Sequence, residues 1–416
     1  MKPRLWTRDF SLLTGATVLG AAGGITGSVA LSFLVYDETG STLAAALLIA
    51  TQLVPSFLLP LIVAPLLDRY PRKPFLVGGD LINGVMYALA GWYLLSREFS
   101  YMMYLWFSLL LSTLNVFDDM AYTSLYPNLI PEGCEQRGYA VSGTLYALLS
   151  VIMTPLAAVL YDSLGVGRIL LGQGALSVMA AGIESLIRHK EPKRTEGKRF
   201  DFAMWKGDMR QALSYLRRDE GLRAIYTYTA FTGGLTTGYS PLMVAFFRST
   251  PGMNLMMYSS FTAAECLGRT LGGLFHARVP IERTKRYRFA LGVYVFYESM
   301  DMLLLWLSYP LMLVNRAACG FLGINSASLR EAAVQRFIPD ELRAKLNAFN
   351  NMMISLSCAV FSLAVGALGE VLDYRVCVSL CGAACLLCCL LTIVRRRAGV
   401  KRIYQEEDAQ VPALSE

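Results

Sequence analysis

Ionisable side chains occur inside long apolar segments of this sequence, and Asp118 and Asp119 are the clearest case, near the middle of an apolar run over 101–126. An ionised group deep in a bilayer costs at least ~2.5–3.5 kcal/mol, so it must be paired, be protonated or face water. Repulsion between two adjacent carboxylates favours protonation of one of them, which suits a proton carrier. A coupling role and a structural bond to a neighbouring helix are the two interpretations.

Further charges lie in the second half of the chain. Glu265 and Arg269 are four residues apart, the spacing at which an acid and a base meet on one helical face. They form either a gate or coupling pair, or a self-neutralised pair that makes insertion tolerable. Asp301 and Arg316 lie at similar distances from an intervening turn, so neighbouring helices can pair them, with Glu298 one turn deeper. For this set we expect structural neutralisation.

Arg330 and Glu331 lie two turns inside the end of the apolar segment over 310–337, which also carries Asn325. Contact with an anionic substrate, help in closing a gate, and a structural role are the alternatives for this pair. Aromatic side chains that suit a large amphipathic ligand lie in two other segments: Tyr122, Tyr126, Tyr226, Tyr228, Phe231 and Tyr239. Tyrosines near segment ends are more often anchors at the membrane interface.

Enzyme chemistry has little support in this sequence. Only two histidines occur, His189 and His276, so a zinc hydrolase site and a histidine relay are disfavoured. Four of the nine cysteines form a stripe at helical spacing, which is typical of small apolar packing residues rather than of metal ligands: Cys377, Cys381, Cys385 and Cys388. No phosphate loop or nucleophile–base set is present, so we expect no enzyme, no metal and no cofactor.

The elements that must position these groups are membrane helices. Of 416 residues 55% are hydrophobic and 17% are charged, a composition typical of membrane proteins. Apolar runs long enough to cross a bilayer predict twelve helices, near 10–35, 42–67, 75–95, 101–126, 139–161, 168–187, 221–247, 253–277, 289–307, 310–337, 344–368 and 376–394. We expect the first to be retained as a helix rather than cleaved as a signal peptide.

Basic residues in the connections predict the orientation. The connections on one side carry 30 Lys and Arg residues and those on the other side carry four, Arg97, Arg168, Arg248 and Arg375. The side rich in Lys and Arg faces the cytoplasm, so both termini are predicted to be cytoplasmic in a multi-pass plasma membrane protein. This topology also accounts for the net charge of +7 without a nucleic-acid partner.

A polar break over 188–218 separates two halves that match each other. Gly23 and Gly24 recur as Gly233 and Gly234 at an offset of 210, and 130–132 recurs as 338–340 at an offset of 208, which predicts a parallel duplication. The second part of the break reads as an interfacial amphipathic helix on the anionic leaflet, with a solvated linker as the alternative. The predicted domains are bundles over 1–187 and 219–395, the linker 188–218 and a tail 396–416.

Three stretches connect the sequence to a known family. The connection after the second segment, Ala64 to Lys73, resembles the loop signature of the major facilitator superfamily, with its acid at Asp68 and basic residues at Arg69, Arg72 and Lys73. The stretch 115–132 resembles the macrolide-efflux and enterobactin-exporter branch of this superfamily. The stretch 154–158 resembles a degenerate form of the antiporter signature. The resemblance implies two pseudo-symmetric six-helix bundles around a cavity lined mainly by helices 1, 4, 7 and 10.

Candidate cavity residues on these helices are Asn115, Tyr122, Phe231, Thr236 and Asn325. Asp68 is placed to cap a second-half helix near Glu341, since carboxylates are favoured at helix N-termini; pairing with Arg69 or Arg72 is the alternative. We expect a monomeric transporter in membrane lipid that exchanges an amphipathic small molecule, such as a drug or siderophore, for protons. Uptake or lipid flipping by the same fold, and a receptor or assembly protein without transport, are the rivals.

Overall fold

The computed structural model describes residues 5–59, 71–131, 134–189, 202–278 and 281–405, and every regular element in those ranges is helical. The first helices in chain order are α1 (Arg8–Thr39), α2 (Thr42–Leu58), α3 (Arg72–Ser96), α4 (Tyr101–Leu129) and α5 (Glu135–Ser185). They are followed by α6 (Phe202–Arg218), α7 (Glu220–Ser249), α8 (Leu255–Arg278), α9 (Arg283–Leu303), α10 (Tyr309–Phe337), α11 (Asp340–Gly369), α12 (Tyr374–Cys389) and α13 (Arg397–Gln405).

Helix α5 contains two membrane spans. Its 51 residues are interrupted at Gly165, where φ is 75° and ψ is 161°, a conformation open essentially to glycine alone. With α5 divided there, each of the twelve predicted spans has a helix in its described part, while residues 60–67 of the second span lie outside the described residues. Helices α6 and α13 are additional to these spans. Six helices of the described residues are long and apolar enough to cross a membrane by length and composition alone. Others, such as α4, α8 and α10, carry the charged side chains discussed above.

Contacts along the chain divide it into two units, Met1–Phe200 with Val244–Ala263, and Asp201–Met243 with Ala264–Glu416. The end of α7 and the start of α8 therefore pack within the first unit. The predicted domain boundaries at 187, 218 and 395 stay predictions.

Glycines from the duplicated motif lie at close helix contacts in both units. In the first unit a Cβ at Gly23 of α1 would lie 3.3 Å from Cγ of Gln173 in α5. In the second unit a Cβ at Gly234 of α7 would lie 2.8 Å from a ring carbon of Phe361 in α11. Equivalent first helices of the two halves thus use small residues to approach a later helix of their own unit, as membrane helices commonly do.

The two additional helices pack into the second unit. Ala212 and Leu216 of α6 are buried in one hydrophobic cluster with Val400, Ile403 and Tyr404 of α13. Helix α6 also packs on α11, so protein covers part of its apolar face. The predicted position of this helix on the anionic leaflet stays a prediction. Likewise the start of the predicted tail is a helix whose apolar side is part of the core of this unit.

Candidate functional site

In the first unit Asp118 of α4 packs directly against α3. A Cβ at Gly79 would lie 2.9 Å from Asp118 Oδ1, so only glycine gives the carboxylate this room. Asp118 Oδ1 is buried and has no hydrogen-bond partner. Asp119 points elsewhere and is exposed. The two adjacent carboxylates therefore occupy different surroundings, and Asp118 is the one held inside the helix packing.

Two further acids that the sequence analysis missed lie near Asp118. Asp80 of α3 and Glu184 at the end of α5 are close enough for their charges to act on one another and on Asp118. Glu184 is 3% exposed, and its Oε2 is buried without a hydrogen-bond partner. The rule applied to Asp118, that a charge within an apolar segment requires an explanation, would also have found Asp80 in the predicted segment over 75–95.

Neutral polar groups border this acid cluster, by which we mean Asp80, Asp118 and Glu184. Asn83 of α3 donates its amide to Asn115 Oδ1 of α4 over 3.2 Å. Asn83 is 5% exposed and its own Oδ1 has no partner. The predicted cavity residue Asn115 is exposed, and Tyr122, two turns along α4, is half-buried with its ring 5.3 Å from that of Tyr126.

Of the four residues predicted to form the gate loop, Asp68 and Arg69 lie outside the described residues, and so does the contact predicted for Asp68. Arg72 donates to the carbonyl oxygen of Ser124 over 2.8 Å. Lys73 Nζ donates to the carbonyl oxygens of Ser185 and Ile187 over 2.7 and 2.6 Å. Cations are favoured at helix C-termini, so both side chains stabilise helix ends inside the first unit.

A second contact in the first unit was not anticipated. Asp37 at the end of α1 accepts hydrogen bonds from Arg248 Nε over 2.6 Å and from the Tyr161 hydroxyl over 2.6 Å. The guanidinium also lies over the Tyr161 ring, 5.8 Å from its centroid. This ion pair holds the end of α7 against α1 and α5. From sequence alone, Arg248 is visible only as one of the four Lys and Arg residues on the less basic side of the predicted topology.

In the second unit Asp301 and Arg316 are in direct contact, with side chains only 2% and 3% exposed. Asp301 also accepts the Tyr239 hydroxyl over 2.7 Å. Arg316 lies 3.9 Å from Glu265, and its Nε lies 3.3 Å from Oδ1 of the adjacent Asn315. The predicted pair is therefore the centre of a network that spans α7, α8, α9 and α10.

Glu265 joins this buried network to a more accessible cation. Its carboxylate lies 3.2 Å from Arg269, whose side chain is 57% exposed. The two predicted pairs, Glu265–Arg269 and Asp301–Arg316, thus form one continuous set of charges instead of two separate ones. An accessible guanidinium linked to a buried ion pair can bind an anionic group or rearrange when a neighbouring carboxylate is protonated.

A tyrosine cluster lies beside this network. Tyr228 donates to Glu298 Oε1 over 3.1 Å, and its ring lies 4.6 Å from that of Tyr294. The Tyr294 hydroxyl bonds that of Tyr404 in α13 over 2.7 Å, and Arg330 lies against both of these tyrosines. Glu298 is thus bound to α7 and does not take part in the Asp301–Arg316 contact.

The remaining predicted residues separate into different surroundings. Glu331 is exposed and accepts the Gln335 amide over 2.8 Å, so it does not pair with Arg330. Phe231 is half-buried with its ring 5.0 Å from that of Phe361, and Thr236 is exposed. The prediction that Asn325 faces a cavity is wrong. Asn325 is 2% exposed and donates to the carbonyl oxygen of Gly272 over 3.1 Å, so it joins α10 to α8.

Comparison with known proteins identifies the family. The model of the Major Facilitator Superfamily matches residues 12–299 and again 289–415. The chain belongs to the major facilitator superfamily. Members of this superfamily are membrane transporters of small molecules and not enzymes, so those two predictions are confirmed. The predicted fold of twelve membrane helices in two six-helix bundles is confirmed as well.

Individual relatives are distant. Macrolide efflux protein A of Streptococcus pyogenes is 24% identical over 257 residues, which cover 59% of this chain. The chain spans 62% of the length of this relative. Among solved structures the nucleoside transporter NupG aligns with a TM-score of 0.68 at 11% identity, covering 96% of this chain and 99% of that one. A bacterial homologue of the human lysosomal transporter Spinster aligns with a TM-score of 0.62 at 13% identity, covering 95% of each chain.

Proposed function

We propose that this major facilitator protein exports an amphipathic small molecule in exchange for protons by alternating access. The observation that carries the proposal is one buried carboxylate oxygen without a hydrogen-bond partner on each of two acids inside the helices of the first unit, Asp118 and Glu184. A carboxylate in such surroundings is favoured to bind a proton and releases it when water or a counter-charge reaches it.

The direction and the class of substrate rest on the similarity to macrolide efflux protein A and on the aromatic side chains of the helices that line the expected cavity. Phe231 and Tyr122 are half-buried, and aromatic walls with few hydrogen-bonding groups suit large amphipathic molecules. The excess of Lys and Arg on one side of the predicted topology supports cytoplasmic termini in the plasma membrane. A monomer is sufficient, because one chain supplies both bundles.

Transport in proteoliposomes of the purified protein tests the proposal. A radiolabelled macrolide is loaded inside the vesicles, and its movement is followed with an imposed pH gradient, without one, and after addition of a protonophore. We expect the pH gradient to drive macrolide movement and the protonophore to abolish the effect. Glu265→Gln and Asp118→Asn are expected to reduce the driven component. The matched control is Asp162→Asn, which changes an exposed acid outside both charged networks.

Three outcomes would contradict the proposal. Flux that ignores the pH gradient and is unaffected by Asp118→Asn, Asp119→Asn and Glu265→Gln would remove proton coupling. Absence of flux for the macrolide and for a panel of amphipathic compounds, siderophores and labelled lipids would favour a receptor or assembly protein. Movement of a lipid alone would favour a flippase of the same fold.

A further inference from the structure

The acid cluster of the first unit has the properties of a ligand-binding site. Asp80, Asp118 and Glu184 come from three different helices, α3, α4 and α5, and the helix packing brings them together. Gly79 leaves space for the Asp118 carboxylate where any Cβ would lie 2.9 Å from its oxygen. Gly79 thus lets the Asp118 carboxylate lie close to the backbone of α3.

A second observation, independent of the charges, points to a bound species. Glu184 is 3% exposed, yet its Oε2 has no hydrogen-bond partner. Nearby, Asn83 is 5% exposed and its Oδ1 also has none. A buried polar atom without a partner costs about 1–3 kcal/mol, and the cost for an ionised carboxylate is larger. A species that supplies a hydrogen-bond donor to these acceptors removes this cost, and a proton bound to a carboxylate does so.

The charged groups around the acid cluster either bind backbone groups or are exposed. Lys73 binds the carbonyl oxygens of Ser185 and Ile187, and Arg72 binds that of Ser124. Asp9 of α1 accepts the backbone N–H of Arg188 over 3.2 Å, and Asp119 is exposed. The charges that act on Glu184 most strongly are those of Asp80 and Asp118. Like charges in an apolar environment raise the free energy of the fully ionised cluster, so the protonation of its members is coupled.

A metal cation is the less suitable occupant. Within the described ranges, no three Asp, Glu, His or Cys side chains converge closely enough to hold a metal ion. The three carboxylates are thus near enough to repel one another but too far apart to ligate one ion. A proton needs only a single carboxylate and one acceptor.

We propose that Asp80, Asp118 and Glu184 form an electrostatically coupled proton-binding site in the first unit, which supplies the proton exchanged during transport. The role of this site in supplying the exchanged proton rests on the proposed function. The site differs from the Glu265–Arg269–Arg316 network of the second unit, where each carboxylate has a cation in contact. It also differs from Asp119, which the sequence alone could not distinguish from Asp118.

Two measurements on the purified full chain in liposomes test the site without reference to transport. Infrared difference spectra recorded between neutral and alkaline pH are expected to show loss of the carbonyl stretch of a protonated carboxyl group. That signal is expected to disappear in Asp118→Asn/Glu184→Gln and to persist in the control Asp162→Asn. Labelling of the unmodified protein with dicyclohexylcarbodiimide, which reacts with protonated carboxyl groups in apolar surroundings, is expected to give an adduct on Asp80, Asp118 or Glu184 that decreases at alkaline pH.

The labelling experiment needs no variant, so it decides the question even if a substitution prevents folding. Absence of an adduct on all three acids, in a digest that contains their peptides, would overturn the site. Full pH-driven flux in Asp80→Asn/Asp118→Asn/Glu184→Gln would overturn it too, while leaving proton-coupled export intact. In contrast, adduct and infrared signal in a protein without pH-driven flux would establish proton binding and refute only the proposed function.

Discussion

Removal of one member of the Asp301–Arg316 pair is expected to destabilise the protein strongly. In Asp301→Asn the Arg316 guanidinium, 3% exposed, keeps its charge but loses its direct counter-ion. Breaking a buried pair in this way costs about 3–5 kcal/mol. Glu265 lies 3.9 Å from Arg316 and compensates in part, so we expect about 3 kcal/mol, the lower end of that range.

Unfolding of the purified protein in mixed micelles by a denaturing detergent measures this free energy. The double variant Asp301→Asn/Arg316→Met removes both charges and is expected to be more stable than Asp301→Asn alone, because an apolar replacement of a buried pair is often nearly neutral. Arg269→Gln is the matched control: its side chain is 57% exposed, and such a pair contributes at most about 1 kcal/mol. The reasoning is refuted if Asp301→Asn unfolds within about 1 kcal/mol of the unmodified protein, or if the double variant is no more stable than Asp301→Asn.

Three further predictions concern packing and are measured by the same unfolding experiment. Gly234→Ala places a Cβ 2.8 Å from a ring carbon of Phe361 in α11 and should lower the free energy of unfolding by about 1–3 kcal/mol. Gly233→Ala should cost less, because its Cβ would lie 3.9 Å from the nearest neighbouring atom. Equal costs for the two variants would contradict the packing. Gly165→Ala at φ 75° should cost about 1–3 kcal/mol, and an unchanged free energy of unfolding would argue against the kink. Tyr404→Phe removes the 2.7 Å hydrogen bond between α13 and α9 and should lower the free energy of unfolding by about 0.5–1.5 kcal/mol. The rate of proteolysis within α13 should increase in this variant. An unchanged rate would show that the bond does not hold α13 in place.

The positions of the membrane helices could be predicted from sequence because a bilayer imposes length and hydropathy on each span separately. The two spans within α5 could be separated from sequence alone, because polar residues near Gly165 interrupt the apolar run. The burial of α13 could not be predicted, because a short basic helix becomes part of a core only through contacts with distant residues such as Tyr294.

The candidate site was predictable only in part, for a related reason. Charged residues in apolar segments are visible in sequence, but their partners depend on the rotation of each helix. Asp118 and Asp119 are adjacent, and only the packing of α3 shows that Asp118 is the enclosed one. Glu184 lies at the very end of α5, where an acid would ordinarily be solvated, so its burial beside Asp80 follows from the tertiary fold. Asn325 was misplaced because an amide on a membrane helix serves a cavity and a helix contact equally well until its acceptor is known.

The central claim, that export of the small molecule is thermodynamically coupled to protons, is tested most directly by the reversal of flux in proteoliposomes. A fixed pH gradient is opposed by a series of macrolide gradients, and the gradient at which net macrolide movement stops is measured. Coupling predicts that this balance point shifts with every change in the pH gradient, and that the shift is lost in the Asp80→Asn/Asp118→Asn/Glu184→Gln variant. A balance point that stays at equal macrolide concentrations for every pH gradient would contradict the account.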